Sequence, residues 1–268
     1  MHAQNGGIAG SDPAALQMLV SGEVELITLM GGILGQVVPV AEIQGLPFAF
    51  SSHDEVHAAM RGALGDHIRA EMAAKGIHGF HDGVLENGFR HIVSIDRPVR
   101  RAEDLAGYRM RIPAGRMFED FFRSLGALPV VVNISELYPA LAGRRVDGQE
   151  NPLVITEVNR LYEVCRYVSL TSHMWSGFNL IANLGFWRRV PEDVQGVVNR
   201  AVADHVARQR AYTEAENRAL ETRLAGERGM IFNQADAGSF RAVLAEGFEQ
   251  RWRAQLGERA WKLLRAGE

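Results

Sequence analysis

Between Gly107 and Pro152 the chain changes its hydrophobic period twice, and this limits its fold more than any other stretch. Tyr108, Met110 and Ile112 alternate with Arg109 and Arg111, the period-two pattern of a strand with one buried face, and Pro113 ends the ladder. Met117, Phe118, Phe121, Phe122 and Leu125 then recur at helical spacing, Gly126 supplies a left-handed stop, and Leu128 to Val132 is rich in β-branched residues. A strand, a helix and a second strand form a crossover, and crossovers join parallel strands. Ligands of open parallel sheets gather outside the carboxyl ends of the strands, where Arg111 falls. Asn151 stands before Pro152 as an N-cap stands before a first-turn proline. A guanidinium that grips a carboxylate through two parallel bonds, near an amide at a helix start, makes an anion receptor. On spacing alone both residues have simpler roles open to them: a solvated or ion-paired strand arginine, and a plain helix cap.

Four motifs, Gly107-Tyr-Arg-Met-Arg-Ile-Pro113, Ser135-Glu-Leu-Tyr138, Val146-Asp-Gly-Gln-Glu-Asn-Pro152 and Leu161-Tyr-Glu-Val164, are joined by Gly45-Leu-Pro-Phe48, Asn87-Gly-Phe-Arg90 and Pro191-Glu-Asp193. Together they resemble the extracytoplasmic solute receptors of tripartite ATP-independent periplasmic (TRAP) transporters, the DctP family. The resemblance implies an α/β, two-lobed periplasmic-binding-protein-like fold with a long lobe-spanning helix. Its lobes would be discontinuous, residues 1–89 with 175–215 and residues 90–174 with 216–268. It also implies a periplasmic receptor, a monomer, that captures a small organic acid and passes it to TRAP membrane permease subunits. Carried over residue by residue, Arg111 matches the carboxylate-binding arginine, Asn151 its partner, Arg90 a second arginine and Asp12 a polar cleft position. Thr28 to Gly31 and His173 to Ser176 would line the cleft walls. The opening Met1-His-Ala-Gln-Asn-Gly-Gly7 resembles the interior of the family's fold, so its first strand and helix are expected to be missing, and no export signal is visible.

Elsewhere, Asp12-Pro13 begins a helix that ends near Gly22, Val24 to Met30 reads as a strand, and Gly31 to Gly35 as a turn. Helices are expected over 54–64 and 66–75, one or two strands over 80–94, a long helix over 191–224 with a wet middle at 208–216, and two helices over 240–264. With 47% hydrophobic residues the chain is no disordered polymer, and a net charge of −3 gives no footprint for nucleic acid. The one cysteine, Cys165, excludes an internal disulfide and reads as a buried thiol in a helical context.

Enzyme signals fail on detail, and no cofactor or metal is expected. Met30 stands where a dinucleotide-binding turn needs its first glycine, and no G-x-S-x-G elbow exists. His53 and His57 sit four apart, but Asp54 replaces the glutamate of H-E-x-x-H, so a solvated first helical turn capped by Ser52 is expected. A ligand sensor serving a signalling receptor is the competing reading. Trp175, Met30, Ile134 and Phe178 as apolar walls favour a small monocarboxylate with an apolar or aromatic body, such as a 2-hydroxy or 2-oxo acid. Arg90 as a second clamp would restore a dicarboxylate.

Overall fold

The computed structural model describes residues 11–245 and 247–266; the Met1–Gly7 segment lies outside them. Helix α1 (Asp12–Ser21) begins where Ser11 Oγ accepts the Ala14 N–H and stops at Gly22, whose φ of 86° suits glycine. Strand β1 (Leu26–Met30) runs straight into a short helix, α2 (Gly31–Leu34), where a turn was expected. Gly31 and Gly32 permit close approach there: an added Cβ would lie 2.8 Å from the Ala41 carbonyl oxygen and 2.7 Å from the Phe118 ring.

Helices α3 (His53–Arg61) and α4 (Ala63–Ala74) follow, and Ser52 caps α3 by accepting the Glu55 N–H. The chain then enters β2 (Ile77–Ser94), β3 (Arg109–Ile112), α5 (Arg116–Ser124), β4 (Leu128–Val131) and α6 (Leu137–Ala142). After these come β5 (Gly148–Asn151), α7 (Leu153–Val158), β6 (Tyr167–Asn183) and α8 (Leu184–Trp187). The long helix α9 (Glu192–Gly226), β7 (Ile231–Gln234), α10 (Ala237–Leu244), α11 (Phe248–Leu256) and α12 (Glu258–Arg265) complete the chain. Three C-terminal helices thus replace the expected two, broken at Gly247 and Gly257 with φ of 96° and 86°.

One seven-stranded sheet takes the order β1-β6-β2-β5-β3-β4, with β7 also on β6. The predicted crossover is present: β3 and β4 are parallel, with Arg111 opposite Val130. At the centre, β2 and β6 form a long antiparallel ribbon whose register shifts between Gly79 and Val84, Glu86 and Gly88, and Arg90 and Ile92. Strand β1 joins one end of this ribbon, opposite residues 178–182, while β5 and β7 join the other. Strand β6 was not anticipated from sequence, because it is buried on both faces and shows no clean alternation.

Helix α9, about 50 Å long at 1.5 Å per residue, meets two separate cores. Val198 and Val202 pack on the Phe80–Trp187 cluster, and Leu220 and Leu224 enter the core of Val93, Leu141 and Val168. Its middle is not uniformly wet as expected. Gln209 and Arg210 donate to the Glu86 and Val84 carbonyls at 2.7 and 2.8 Å, and Asn217 donates to that of Asn87 at 2.9 Å. These side chains satisfy backbone that the irregular ribbon leaves unpaired, which explains why that face is polar. Cys165 is buried, as expected, but it lies between a short 3-10 turn and β6, where its N–H donates to the Leu161 carbonyl at 2.8 Å, and not within a helix.

Candidate ligand-binding site

Arg111 is the penultimate residue of β3, and the period-two pattern turns it away from Met110 and Ile112. It is only 2% exposed, so the solvated alternative does not apply. Its Nε donates to the Val132 carbonyl at 2.8 Å, and no protein acceptor is described for the two terminal nitrogens. The fork is therefore anchored at one edge and open at the other. Burial lowers its pKa to about 10, with Glu150 opposing that shift, Arg90 adding to it and Asp12 opposing it; the guanidinium stays charged at neutral pH. Asp12, at the start of α1, has its carboxyl pushed up by burial and held back by Arg111.

Arg90 occupies the β2 side of the same cluster and is fully committed. Its Nε and Nη2 donate to the Glu150 carboxylate at 2.5 and 2.7 Å, Nη2 also reaches the Glu150 carbonyl and Asn151 Oδ1, and Nη1 donates to Ser176 Oγ. Nη1 also lies 3.6 Å from Met30 Sδ, and the guanidinium stacks 5.0 Å from the Phe118 ring. Glu150 is wholly buried; burial works to raise its pKa, but Arg90 and then His173 outweigh that and hold it below the usual carboxylate range. His173 Nε2 lies 3.3 Å from Glu150 Oε2, its ring stacks on Phe121, and burial lowers its pKa against the pull of Glu150.

Asn151 is a correction to the cap reading. It ends β5, and α7 starts after Pro152 with no side-chain cap. Its Oδ1 accepts from Arg90 and its Nδ2 donates to Gln149 Oε1 at 2.5 Å. Gln149, opposite Arg111 in the parallel β3–β5 register, is 0% exposed and its Nε2 has no partner among the described residues. A buried, unpaired amide donor beside Arg111 is a candidate binding feature that sequence reasoning passed over. Its two-residue spacing from Asn151, which puts both on one strand face, was the available signal.

The structure thus joins the predicted residues in one cluster: Arg90, His173 and Arg111 face Glu150, Asn151 and Met30 meet Arg90, and Asp12 faces Arg111. Trp175 lines a gap beside Met30 and Ser176 but is 2% exposed, and its indole N–H donates to Glu86 Oε1 at 2.8 Å. Ile134 packs, partly buried, against the core containing Leu137 and Leu141. The gap lined by Met30, Gly32, Phe118, Trp175 and Ser176 measures about 10 Å³, room for one water at most. A roomier groove of 560 Å³, lined by Phe48, Arg241 and Trp261, shares no residue with this cluster.

The fold defines the class first, that of the two-lobed TRAP periplasmic solute-binding proteins. A structure from Polaromonas sp. JS666 bound to D-erythronate matches with TM-score 0.87 and 28% identity, over 96% of this chain and 84% of that one. One from Roseobacter denitrificans with bound β-D-glucuronate matches with TM-score 0.92 and 25% identity, over 98% and 87%. More particularly, the chain belongs to the DctP family, bacterial extracellular solute-binding protein family 7, whose model matches residues 1–255. The C4-dicarboxylate-binding periplasmic protein DctP of Rhodobacter capsulatus is 30% identical over 77% of this chain, and the sialic acid-binding periplasmic protein SiaP of Vibrio cholerae is 30% identical over 72%. The aligned parts span 61% and 60% of those two relatives. No described helix is long and apolar enough to cross a membrane.

Proposed function

We propose that this chain is the extracytoplasmic solute-capturing subunit of a TRAP transporter, holding a small organic acid by its carboxylate on Arg111 and delivering it to membrane permease subunits from the periplasm. The observation that carries this reading is the Arg111 fork, buried, anchored through Nε and open at both terminal nitrogens. The relatives support it, since D-erythronate, β-D-glucuronate, sialic acid and C4-dicarboxylates all present a carboxylate. The ligand class is a monocarboxylate, with 2-hydroxy or 2-oxo acids foremost. Arg90 has spent its donors on Glu150, Asn151 and Ser176, so it does not serve a second carboxylate, while the unpaired Gln149 amide suits an oxygen next to the first.

Capture on this reading involves opening, because Arg111, which must receive the carboxylate, is only 2% exposed. The lobes we propose are residues 1–89 with 175–215 and 90–174 with 216–268. Register shifts in β2 after Glu86 and Arg90, and Ser172 at φ 43° in β6, lie at that boundary and support a hinge there.

Calorimetry on Arg111→Ala tests the assignment, after a thermal-shift screen of organic acids has supplied a ligand. Two charge-assisted bonds of about 1.5–3 kcal/mol each predict a loss of affinity of about 150-fold or more, and Arg111→Lys restores it only in part. An Arg111→Ala protein that binds within about threefold of wild type refutes the reading.

A further inference from the structure

Away from Arg111, four side chains from three elements converge: His53 and His57 of α3, Glu86 of β2 and Glu214 of α9. His53 Nδ1 and His57 Nε2 lie 2.9 and 3.0 Å from Glu86 Oε2, and Glu214 Oε1 lies 3.7 Å from His57 Nε2. One donor atom each from His53, Glu86 and Glu214 falls within 4.8 Å of the other two. The expectation of a solvated turn is corrected here, since His57 is 5% exposed. Neither of its nitrogens has a hydrogen-bond partner among the described residues, although a carboxylate oxygen stands 3.0 Å from Nε2.

His53 Nδ1 and Glu86 Oε2 are hydrogen-bonded, whereas His57 Nε2 approaches the same oxygen without hydrogen-bond alignment; a buried, misaligned imidazole beside two carboxylates is the feature a cation would complete. Nitrogen donors about 2.0–2.1 Å and oxygen donors about 2.0–2.2 Å from a tetrahedral zinc sit about 3.3–3.5 Å apart, so the His53–Glu86 and His57–Glu86 distances of 2.9 and 3.0 Å would widen by a few tenths of an ångström as the lone pairs turn to the ion. We propose that His53, His57, Glu86 and Glu214 form a binding site for a divalent transition-metal ion of the Zn²⁺ class. Two imidazoles with two carboxylates favour such an ion over magnesium or calcium, which prefer oxygen alone.

The surroundings hold the ligands in place. Ser52 caps α3 and sets the two histidines one turn apart, His57 packs edge-on to Trp175, and the Trp175 N–H fixes the second oxygen of Glu86. Glu86 precedes the register shift of the central ribbon, and Glu214 lies on the stretch of α9 that bonds to that ribbon. The ion therefore ties α3, β2 and α9 together.

The test uses the whole chain, stripped with a chelator and titrated with Zn²⁺ by calorimetry and with Co²⁺ by visible absorbance. One ion per chain is expected, with the intense d–d bands of four-coordinate Co²⁺, which a lone surface histidine does not give. His53→Ala and Glu214→Gln, whose parent side chains are 28% and 22% exposed and so replaceable without unfolding, should each weaken Zn²⁺ by more than about tenfold, given that even outer-shell partners are worth about 10–100-fold. The exposed His81→Ala serves as control and should change nothing. No binding, a six-coordinate Co²⁺ spectrum, or affinity unmoved in both folded variants overturns the proposal and leaves an ion pair only.

Discussion

Glu150→Ala should cost this protein about 3–5 kcal/mol, the penalty for breaking a buried ion pair and stranding its partner. Arg90 and Glu150 have side chains 1% and 0% exposed, so no water replaces the lost carboxylate. The remaining acceptors of Arg90, Asn151 Oδ1, Ser176 Oγ and the Glu150 carbonyl, are neutral. Two charge-assisted bonds at about 1.5–3 kcal/mol each give about 3–6 kcal/mol, which overlaps that range. Urea unfolding measures it: at an m-value of about 3 kcal/mol per molar, the midpoint falls by about 1–1.7 M. Glu150→Gln, which keeps an acceptor and loses the charge, should fall between. Replacing both partners, as Arg90→Met with Glu150→Leu, should cost less than the two single losses added, because no charge is then left buried. Because the folded pKa of Glu150 lies below its ordinary 4.5, its contribution is complete above that pH and disappears as pH falls through the folded value. A loss below about 1 kcal/mol with unchanged m would refute the claim that the pair is dry and coupled.

Acidification should destabilise the fold from about pH 6.5 downward. Burial lowers the pKa of His78, His173 and His91, the last to about 3, so the unfolded chain takes protons that the folded chain refuses. His53 runs the other way, since Glu86 outweighs burial to raise its pKa and its contribution is lost as pH rises; a urea midpoint that fails to drop between pH 7 and 5 would contradict this balance. Gly177→Ala should cost about 1–3 kcal/mol by overpacking, read as a lower Tm, because its Cβ would lie 2.1 Å from the Trp175 ring and 2.5 Å from the Leu85 carbonyl oxygen. Cys165, pushed up to about 12 by burial, should resist iodoacetamide at pH 8 in the folded chain and react fully in denaturant, as counted by mass spectrometry.

Local signals were legible wherever one residue's neighbours in sequence are also its neighbours in space. The β3–α5–β4 crossover, the Ser52 cap, the Gly22 stop and the long α9 all follow from periods and caps that act over a few residues, and the structure has each of them. Arg111 was placed at a strand end by the same reasoning, and the motifs around it carried the family. Asn151 was misread because a cap and a strand end leave the same Asn-Pro signature, and only the pairing of Asn151 with His91 across β2 and β5 separates them.

Tertiary structure decided the rest, for a physical reason that no window of sequence contains. Whether a polar side chain is solvated, paired or stranded depends on which distant surface excludes water from it. Arg90 was read as a second arginine near the ligand, with a second clamp as the alternative, and a carboxylate 60 residues away engages it. His57 was read as solvated, and the closure of α3 on the β2–β6 ribbon buries it against Glu86. Strand β6 pairs with β1, β2 and β7 and is covered on both faces, which erases the alternation that would have announced it. Sequence by itself determined the elements with a local period and the arginine at the end of one of them; the packing of the ribbon determined which charges remain open to a ligand, because desolvation is a property of the assembled surface.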